Sequence, residues 1–139
     1  MNALQRMGFL AAAGIALAAS SGCSRGIADA STPLTIDVRM HFSKFLPGSL
    51  TVPAGRPIRF VVHNDDFLDH EFIVGDADMQ ARHEAGTEPH HGARPTEIDV
   101  PAGETVSTVV TFERRAGLSY ACHAPGHFAY GMFGALTVR

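Results

Sequence analysis

The sequence predicts an all-β protein with a Greek-key antiparallel β-sandwich, and three features of the chain favour this fold class. From Leu34 onward apolar residues recur at every second position, no segment of comparable length has a strong helical period, and two near-identical turns carry Pro and Gly. Apolar alternation with a period of two is typical of strands that bury one face. About seven short strands in roughly a hundred residues favour a sandwich over alternating strands and helices.

The first predicted strand is the clearest. Leu34, Ile36, Val38 and Met40 alternate with polar residues, so one face of this segment is apolar. The same alternation, or a shorter run of β-branched and aromatic residues, predicts further strands at residues 58–62, 72–74, 106–112, 118–122 and 136–138.

Two turns divide these strands. Residues 52–55 and 100–103 both read Val-Pro-Ala-Gly, and each precedes a long alternating segment. Pro fixes its own φ and Gly permits positive φ, which are the requirements of a tight connection.

One stretch interrupts the strand pattern. At about residues 76–96 the chain is too polar for a core strand, and we expect a His/Met-containing surface loop with one helical turn from Ala77 to Ala85, closed by Gly86. A long loop in a compact domain is often functional. Its potential metal ligands form a hypothetical second metal site, with a solvated polar loop as the alternative: Met79, His83, His90 and His91.

Residues 1–30 are predicted to be a signal peptide, which leaves residues 31–139 as the mature domain. Arg6 precedes 11 uncharged residues from Phe9 to Ala19, a core too short to span a bilayer. Cleavage after Ala30 and a lipoprotein signal that ends before Cys23 are both open, the second leading to lipidation of Cys23. Either route places the domain in the periplasm or at the outer surface of the cell envelope, with or without a lipid anchor in the membrane.

Composition narrows the function classes. After Ala30 there are nine basic and thirteen acidic residues, a formal charge of −4, which argues against nucleic acid as the partner. Two cysteines are too few for a disulfide scaffold, whereas eight His and five Met are many potential metal ligands for 139 residues. Nothing in the chain resembles a nucleophile with its base, a phosphate loop or a paired acid site, so we expect a metal-binding protein that is not an enzyme. We also expect a monomer.

The segment from Tyr120 to Gly134 carries the predicted metal chemistry. Cys122, His127 and Met132 follow the spacing C-x4-H-x4-M, and His70, at the start of a predicted strand, is preferred over His63 as the fourth ligand. Loops at one end of a sandwich can bring these residues together. Two imidazoles and a thiolate with a weak axial Met form the ligand set of a blue-copper electron-transfer site. The alternative for Cys122 is a buried structural thiol or a disulfide with Cys23.

These residues resemble the cupredoxins, the small blue-copper proteins. The similarity covers residues 34–139 and is strongest in the Pro-Gly-His turn that ends at His127, in the Gly-Met-Phe-Gly run around Met132 and in His-Glu-Phe at residues 70–72. The loop is most similar to that of rusticyanin and the auracyanins. The resemblance implies one type 1 copper held by His70, Cys122 and His127, with Met132 axial. The chain departs from the family at Glu71, where many members have Asn or another residue that hydrogen-bonds near the Cys loop.

The resemblance implies a one-electron carrier between redox partner proteins such as cytochromes, oxidases or reductases. Its docking surface would be an apolar patch near His127, although the same residues could simply shield copper from water: Phe67, Leu68, Phe128, Ala129 and Tyr130. The alternative is a copper-binding protein of trafficking or tolerance that uses the cupredoxin site together with the His-rich loop.

Overall fold

A computed structural model describes residues 31–86 and 94–139 of the chain. This part contains nine strands and one helix. In chain order they are β1 Leu34–Met40, β2 Phe45–Leu46, β3 Ser49–Val52, β4 Pro57–Asn64, β5 His70–Gly75, α1 Ala77–Glu84, β6 Glu97–Val100, β7 Thr105–Thr111, β8 Ala116–Ala121 and β9 Phe133–Val138.

The strands form two sheets, which confirms the predicted β-sandwich. One sheet has the order β2-β1-β4-β7 and the other β3-β9-β8-β5-β6. Apolar side chains from the inner faces of both sheets make one core, and the largest include Phe60, Phe72 and Tyr120. The alternation seen in the sequence places these side chains inside, because successive residues of a strand point to opposite faces.

The predicted antiparallel pairing holds for most strand pairs, but two pairs are parallel. β1 pairs in parallel with β4, from Leu34 opposite Ile58 to Met40 opposite Asn64, and β3 pairs in parallel with β9. The remaining strand pairs are antiparallel. The chain leaves the first sheet after β2, contributes β3 to the second sheet and returns as β4, so β1 and β4 are not joined by a hairpin. Alternation determines which face a strand buries and carries no information on direction.

The two Val-Pro-Ala-Gly turns have the expected backbone. Gly55 and Gly103 adopt φ of 72° and 73°, a region that residues with a Cβ rarely occupy. Gly55 N donates to Phe112 O at 2.9 Å, so this turn is bonded to the residue that follows β7.

Helix α1 confirms the helical segment in the polar stretch. Asp76 caps it by accepting from Met79 N at 2.9 Å, and Gly86, with φ of 67°, follows its end. Gln80 and His83 are buried, and Gln80 Nε2 donates to Ile73 O and Ser119 O at 3.1 Å each. The helix is therefore attached to the second sheet. Among the described residues, no helix has the length and apolar character needed to cross a membrane.

Candidate metal centre

The four predicted ligand residues come from the start of one strand and from the connection that follows a neighbouring strand. His70 is the first residue of β5, Cys122 directly follows β8, and His127 and Met132 lie between β8 and β9. Cys122 N donates to Met132 O at 3.1 Å, and Met132 N donates to His127 O at 3.0 Å. Because β5 pairs with β8, the backbone brings His70 to the end of the sheet where this loop begins.

The donor atoms of His70, Cys122 and His127 converge. The two Nδ1 atoms are 3.2 Å apart, and Cys122 Sγ lies 3.3 Å from Nδ1 of His127 and 3.8 Å from Nδ1 of His70. In residues 31–86 and 94–139 this is the one group of three or more His, Cys, Asp or Glu whose ligand atoms all lie within 4.8 Å of one another. His63 lies elsewhere, with Nε2 3.1 Å from Asp37 Oδ1.

Burial makes this cluster a closed site. Cys122 and Met132 have no exposed surface, His70 is 1% exposed and His127 is half-buried. Two imidazole nitrogens and one thiol sulfur that face a common point suit a copper ion, and the fully buried thioether on the same loop would be a further soft donor. The residues present therefore fit a type 1 copper.

The electrostatics of the cluster act differently on the thiol and on the imidazole of His127. Burial raises the pKa of the Cys122 thiol, although the backbone N–H groups of Glu71 and Ala124 act in the opposite direction. Burial and the neighbouring His70 lower the pKa of His127, so its imidazole is neutral and able to coordinate at neutral pH. A cation at the centre would compensate the thiolate that this apolar setting otherwise disfavours.

Asp66 contacts the cluster from outside. Its carboxylate accepts from His70 Nε2 at 3.0 Å, from Phe42 N at 2.7 Å and from Ser43 N at 2.8 Å. Burial would raise the pKa of Asp66, but the hydrogen bonds from Ser43, His70 and Phe42 outweigh it and hold that pKa below its ordinary value. The sequence prediction missed this residue, since Asp65, Asp66 and Asp69 are equivalent in the run before His70.

Glu71, the departure from the cupredoxin pattern, also bonds to the Cys loop. Its Oε2 accepts from His123 N at 2.8 Å, while Glu71 N donates to Cys122 Sγ at 3.3 Å. The ring of His123 lies between Gln80 Oε1 at 2.7 Å and Glu84 Oε2 at 2.9 Å. Helix α1 is therefore linked by side chains to the residue after Cys122.

The predicted second metal site falls partly within the described residues. The His83 side chain has no exposed surface, its Nδ1 lies 3.0 Å from Met79 O, and Met79 packs over the Cα of Gly75. His90 and His91 lie outside the described residues, as does Cys23. The second site and the lipidation of Cys23 stay predictions.

The predicted docking patch is largely at the surface. Phe67 is 99% exposed, Tyr130 82% and Leu68 57%, and Ala129 is also exposed. Phe128 is half-buried and stacks on the His123 ring, with 4.9 Å between ring centroids. Phe42, 80% exposed, was not predicted and lines a cleft of about 300 Å³ with Phe67 and Leu68.

A two-sheet sandwich with a buried His-Cys-His cluster at one end defines a class of single-domain copper proteins. The family described as copper binding proteins, plastocyanin/azurin family, matches residues 34–139, and this chain belongs to it. The chain is similar to the copper-resistant cuproprotein CopI of Pseudomonas aeruginosa, with 29% identity over 76% of each protein. It is also similar to CopI of Rubrivivax gelatinosus, with 34% identity over 69% of this chain and 60% of the relative.

Solved structures of the same fold include two auracyanins. Auracyanin B matches with a TM-score of 0.65 and 24% identity, over 78% of this chain and 91% of that protein. Auracyanin A of Chloroflexus aurantiacus matches with a TM-score of 0.64 and 24% identity, over 78% of this chain and all of that protein. These matches confirm the cupredoxin-like fold.

Proposed function

We propose that this protein binds one copper ion at His70, Cys122 and His127, with Met132 as axial ligand, and that it serves copper tolerance outside the cytoplasm. The observation that carries the proposal is the buried cluster, with its three donor atoms 3.2–3.8 Å apart. The similarity to two proteins called copper-resistant cuproproteins supports tolerance as the purpose of binding.

The chemistry of the site agrees with this role. When bound, copper would gain a covalent thiolate bond and could exist as Cu(I) or Cu(II), since the mixed sulfur and nitrogen donors suit both states. The buried side chains of Cys122, Met132 and His70 keep water away from the centre.

Spectroscopy tests the ligand assignment. The purified protein loaded with Cu(II) is expected to have an intense thiolate charge-transfer band and a narrow copper hyperfine splitting in EPR, and Cys122→Ser should lose both. His63→Ala is the matched control for His70→Ala, because His63 lies outside the cluster and should keep the spectrum. A pale spectrum that is indifferent to Cys122 would refute the site.

Copper sensitivity of cells tests the purpose. A strain without the protein should grow less well at raised copper concentrations, and the intact protein should restore growth where Cys122→Ser does not. Equal restoration by both proteins would show that tolerance does not depend on this site. A combined change of His83, His90 and His91 tests whether the polar loop adds copper capacity.

Electron transfer is the second candidate function. It is favoured by the exposed apolar side chains of Phe67, Leu68 and Tyr130 at the end of the sandwich that carries the half-buried His127. Redox partners such as cytochromes, oxidases or reductases dock through small surfaces, which a few aromatic side chains can supply.

A surface variant separates the two functions. Phe67→Ser combined with Tyr130→Ser should slow electron exchange with a cytochrome but leave copper tolerance intact if the protein is a carrier. Val109→Ser is the control, since Val109 is exposed on β7 outside this patch. Loss of tolerance together with unchanged electron exchange would count against the carrier.

A further inference from the structure

We propose that Asp66 is a positioning residue of the copper centre, which orients His70 and stabilises Cu(II) relative to Cu(I). The inference rests on the proposed copper ligation by His70 and adds a determinant of affinity and reduction potential from outside the ligand set. Two observations support it: the hydrogen bond between His70 and Asp66, and the backbone N–H groups that hold the Asp66 carboxylate in place.

The two ring nitrogens of His70 have separate partners. Nδ1 faces Cys122 Sγ and Nδ1 of His127, whereas Nε2 lies 3.0 Å from Asp66 Oδ2. An ionised carboxylate only accepts hydrogen bonds, so this contact places the proton on Nε2 and leaves the Nδ1 lone pair for a metal. The His70 side chain has no exposed surface, and water therefore does not compete for Nε2.

Asp66 is fixed by hydrogen bonds of its carboxylate and of its own backbone N–H. Its carboxylate accepts from Phe42 N and Ser43 N, and its own N–H donates to Asn64 Oδ1 at 3.0 Å. Phe42 and Ser43 both have φ of 51°, in the left-handed region that residues with a Cβ rarely occupy. A backbone conformation of this cost is maintained by surrounding contacts. Here the N–H groups of these two residues both donate to the Asp66 carboxylate, which in turn contacts His70.

The other two carboxylates of the same run face elsewhere. Asp65 pairs with the exposed side chain of Arg39, and Asp69 Oδ1 accepts from Ala102 N at 2.9 Å. Of the three, Asp66 is the one that contacts a ligand of the cluster. Asp65 therefore offers a control with the same charge, one residue away, that lacks the contact.

The charge of Asp66 makes the His70 imidazole a stronger donor, which favours the more highly charged ion. Loss of a carboxylate partner of a metal-bound imidazole typically costs about 10–100-fold in metal affinity or activity. If the loss falls on Cu(II) and spares Cu(I), each tenfold change raises the reduction potential by about 59 mV for one electron. Asp66→Asn should therefore raise the potential by about 60–120 mV.

The experiment compares Asp66→Asn with Asp65→Asn in the purified protein. In Asp66→Asn the Cu(II) affinity from competition with chelators is expected to fall and the reduction potential to rise, while the Cu(I) affinity stays the same. Asp65→Asn should leave all three unchanged. Nitrogen-15 NMR of the copper-free protein gives a readout that needs no metal. In the wild type His70 should carry its ring proton on Nε2, and the hydrogen bond to Asp66 should shift the resonance of that proton downfield. This proton resonance should move upfield in Asp66→Asn and stay in place in Asp65→Asn.

The outcomes separate this inference from the proposed function. A wild-type protein without a thiolate charge-transfer band would refute the copper function, while the NMR comparison would still test the role of Asp66. A wild-type blue site with equal potentials and equal His70 resonances in both variants would overturn the role of Asp66 and leave the copper site standing. A His70 proton on Nδ1 in the wild type would overturn it as well.

Discussion

Gly134 lies where the core leaves no room for a side chain. It is paired with Tyr120 across β8 and β9, and a Cβ at Gly134 would lie 2.2 Å from Cζ of that ring. Since carbon atoms in contact stay about 3.5–4.0 Å apart, the ring would have to move by more than about 1 Å. We predict that Gly134→Ala destabilises the protein.

The surroundings of Tyr120 determine the magnitude. The ring packs edge-on against Phe45 with 5.2 Å between centroids, lies 5.6 Å from Phe72, and its hydroxyl donates to Pro47 O at 2.6 Å. Displacement costs about 1–3 kcal/mol for overpacking and about 1 kcal/mol for the hydrogen bond. The free energy of unfolding should therefore fall by about 2–4 kcal/mol, or roughly 8–16 °C in Tm for a domain of this size.

Denaturant unfolding of the copper-free protein, followed by circular dichroism, measures this loss. Gly117→Ala is the matched control on β8, because a Cβ there would meet no atom within 4 Å. The control should change stability by less than about 1 kcal/mol, with a small gain from the reduced entropy of the unfolded chain. A Gly134→Ala variant as stable as Gly117→Ala would refute the packing argument.

Three further predictions concern hydrogen-bonded polar side chains. Asn64→Ala should lower the free energy of unfolding by about 2–4 kcal/mol, because the Asn64 amide donates to three backbone carbonyls and accepts from Asp66 N. His63→Ala is the control, and an equal loss of stability in both variants would contradict the prediction. Burial raises the pKa of Tyr120 from 10.0 to about 12, so the stability that its neutral form contributes is complete below pH 10 and is lost as the pH rises from 10 to 12. Tyr120→Phe should flatten that alkaline decline in pH-dependent unfolding, and an unchanged decline would assign it to other groups. Glu71→Ala should broaden or shift the Cu(II) EPR signal, because His123 N loses its acceptor beside Cys122; a spectrum identical to wild type would count against this link.

The ligand loop illustrates how much of the site could be predicted from the sequence. Cys122, His127 and Met132 lie within eleven consecutive residues, so their spacing alone restricts how they can meet. His70 is distant from this loop in the sequence, and its position at the start of a predicted strand is the reason to prefer it over His63 as the fourth ligand. The structure brings it to the cluster because β5 pairs with β8, whose end is followed by Cys122.

Other parts of the site could not be predicted because they depend on contacts between distant segments. The sequence does not indicate a partner for His123, and the position of its ring between Gln80 and Glu84 exists only because α1 packs on the second sheet. Asp66 is one of three similar carboxylates, and only the folded loop shows which of them meets His70.

The sequence by itself determined six of the nine strands in the described residues, the two Val-Pro-Ala-Gly turns, the short helix and the C-x4-H-x4-M set, because periodicity, turn chemistry and ligand spacing are local properties. The tertiary structure alone decided that β1 runs parallel to β4 and β3 parallel to β9. It also decided which carboxylates hold His70 and the Cys loop. Strand direction and hydrogen-bond partners depend on how segments far apart in the chain meet, and side-chain alternation is the same for either direction.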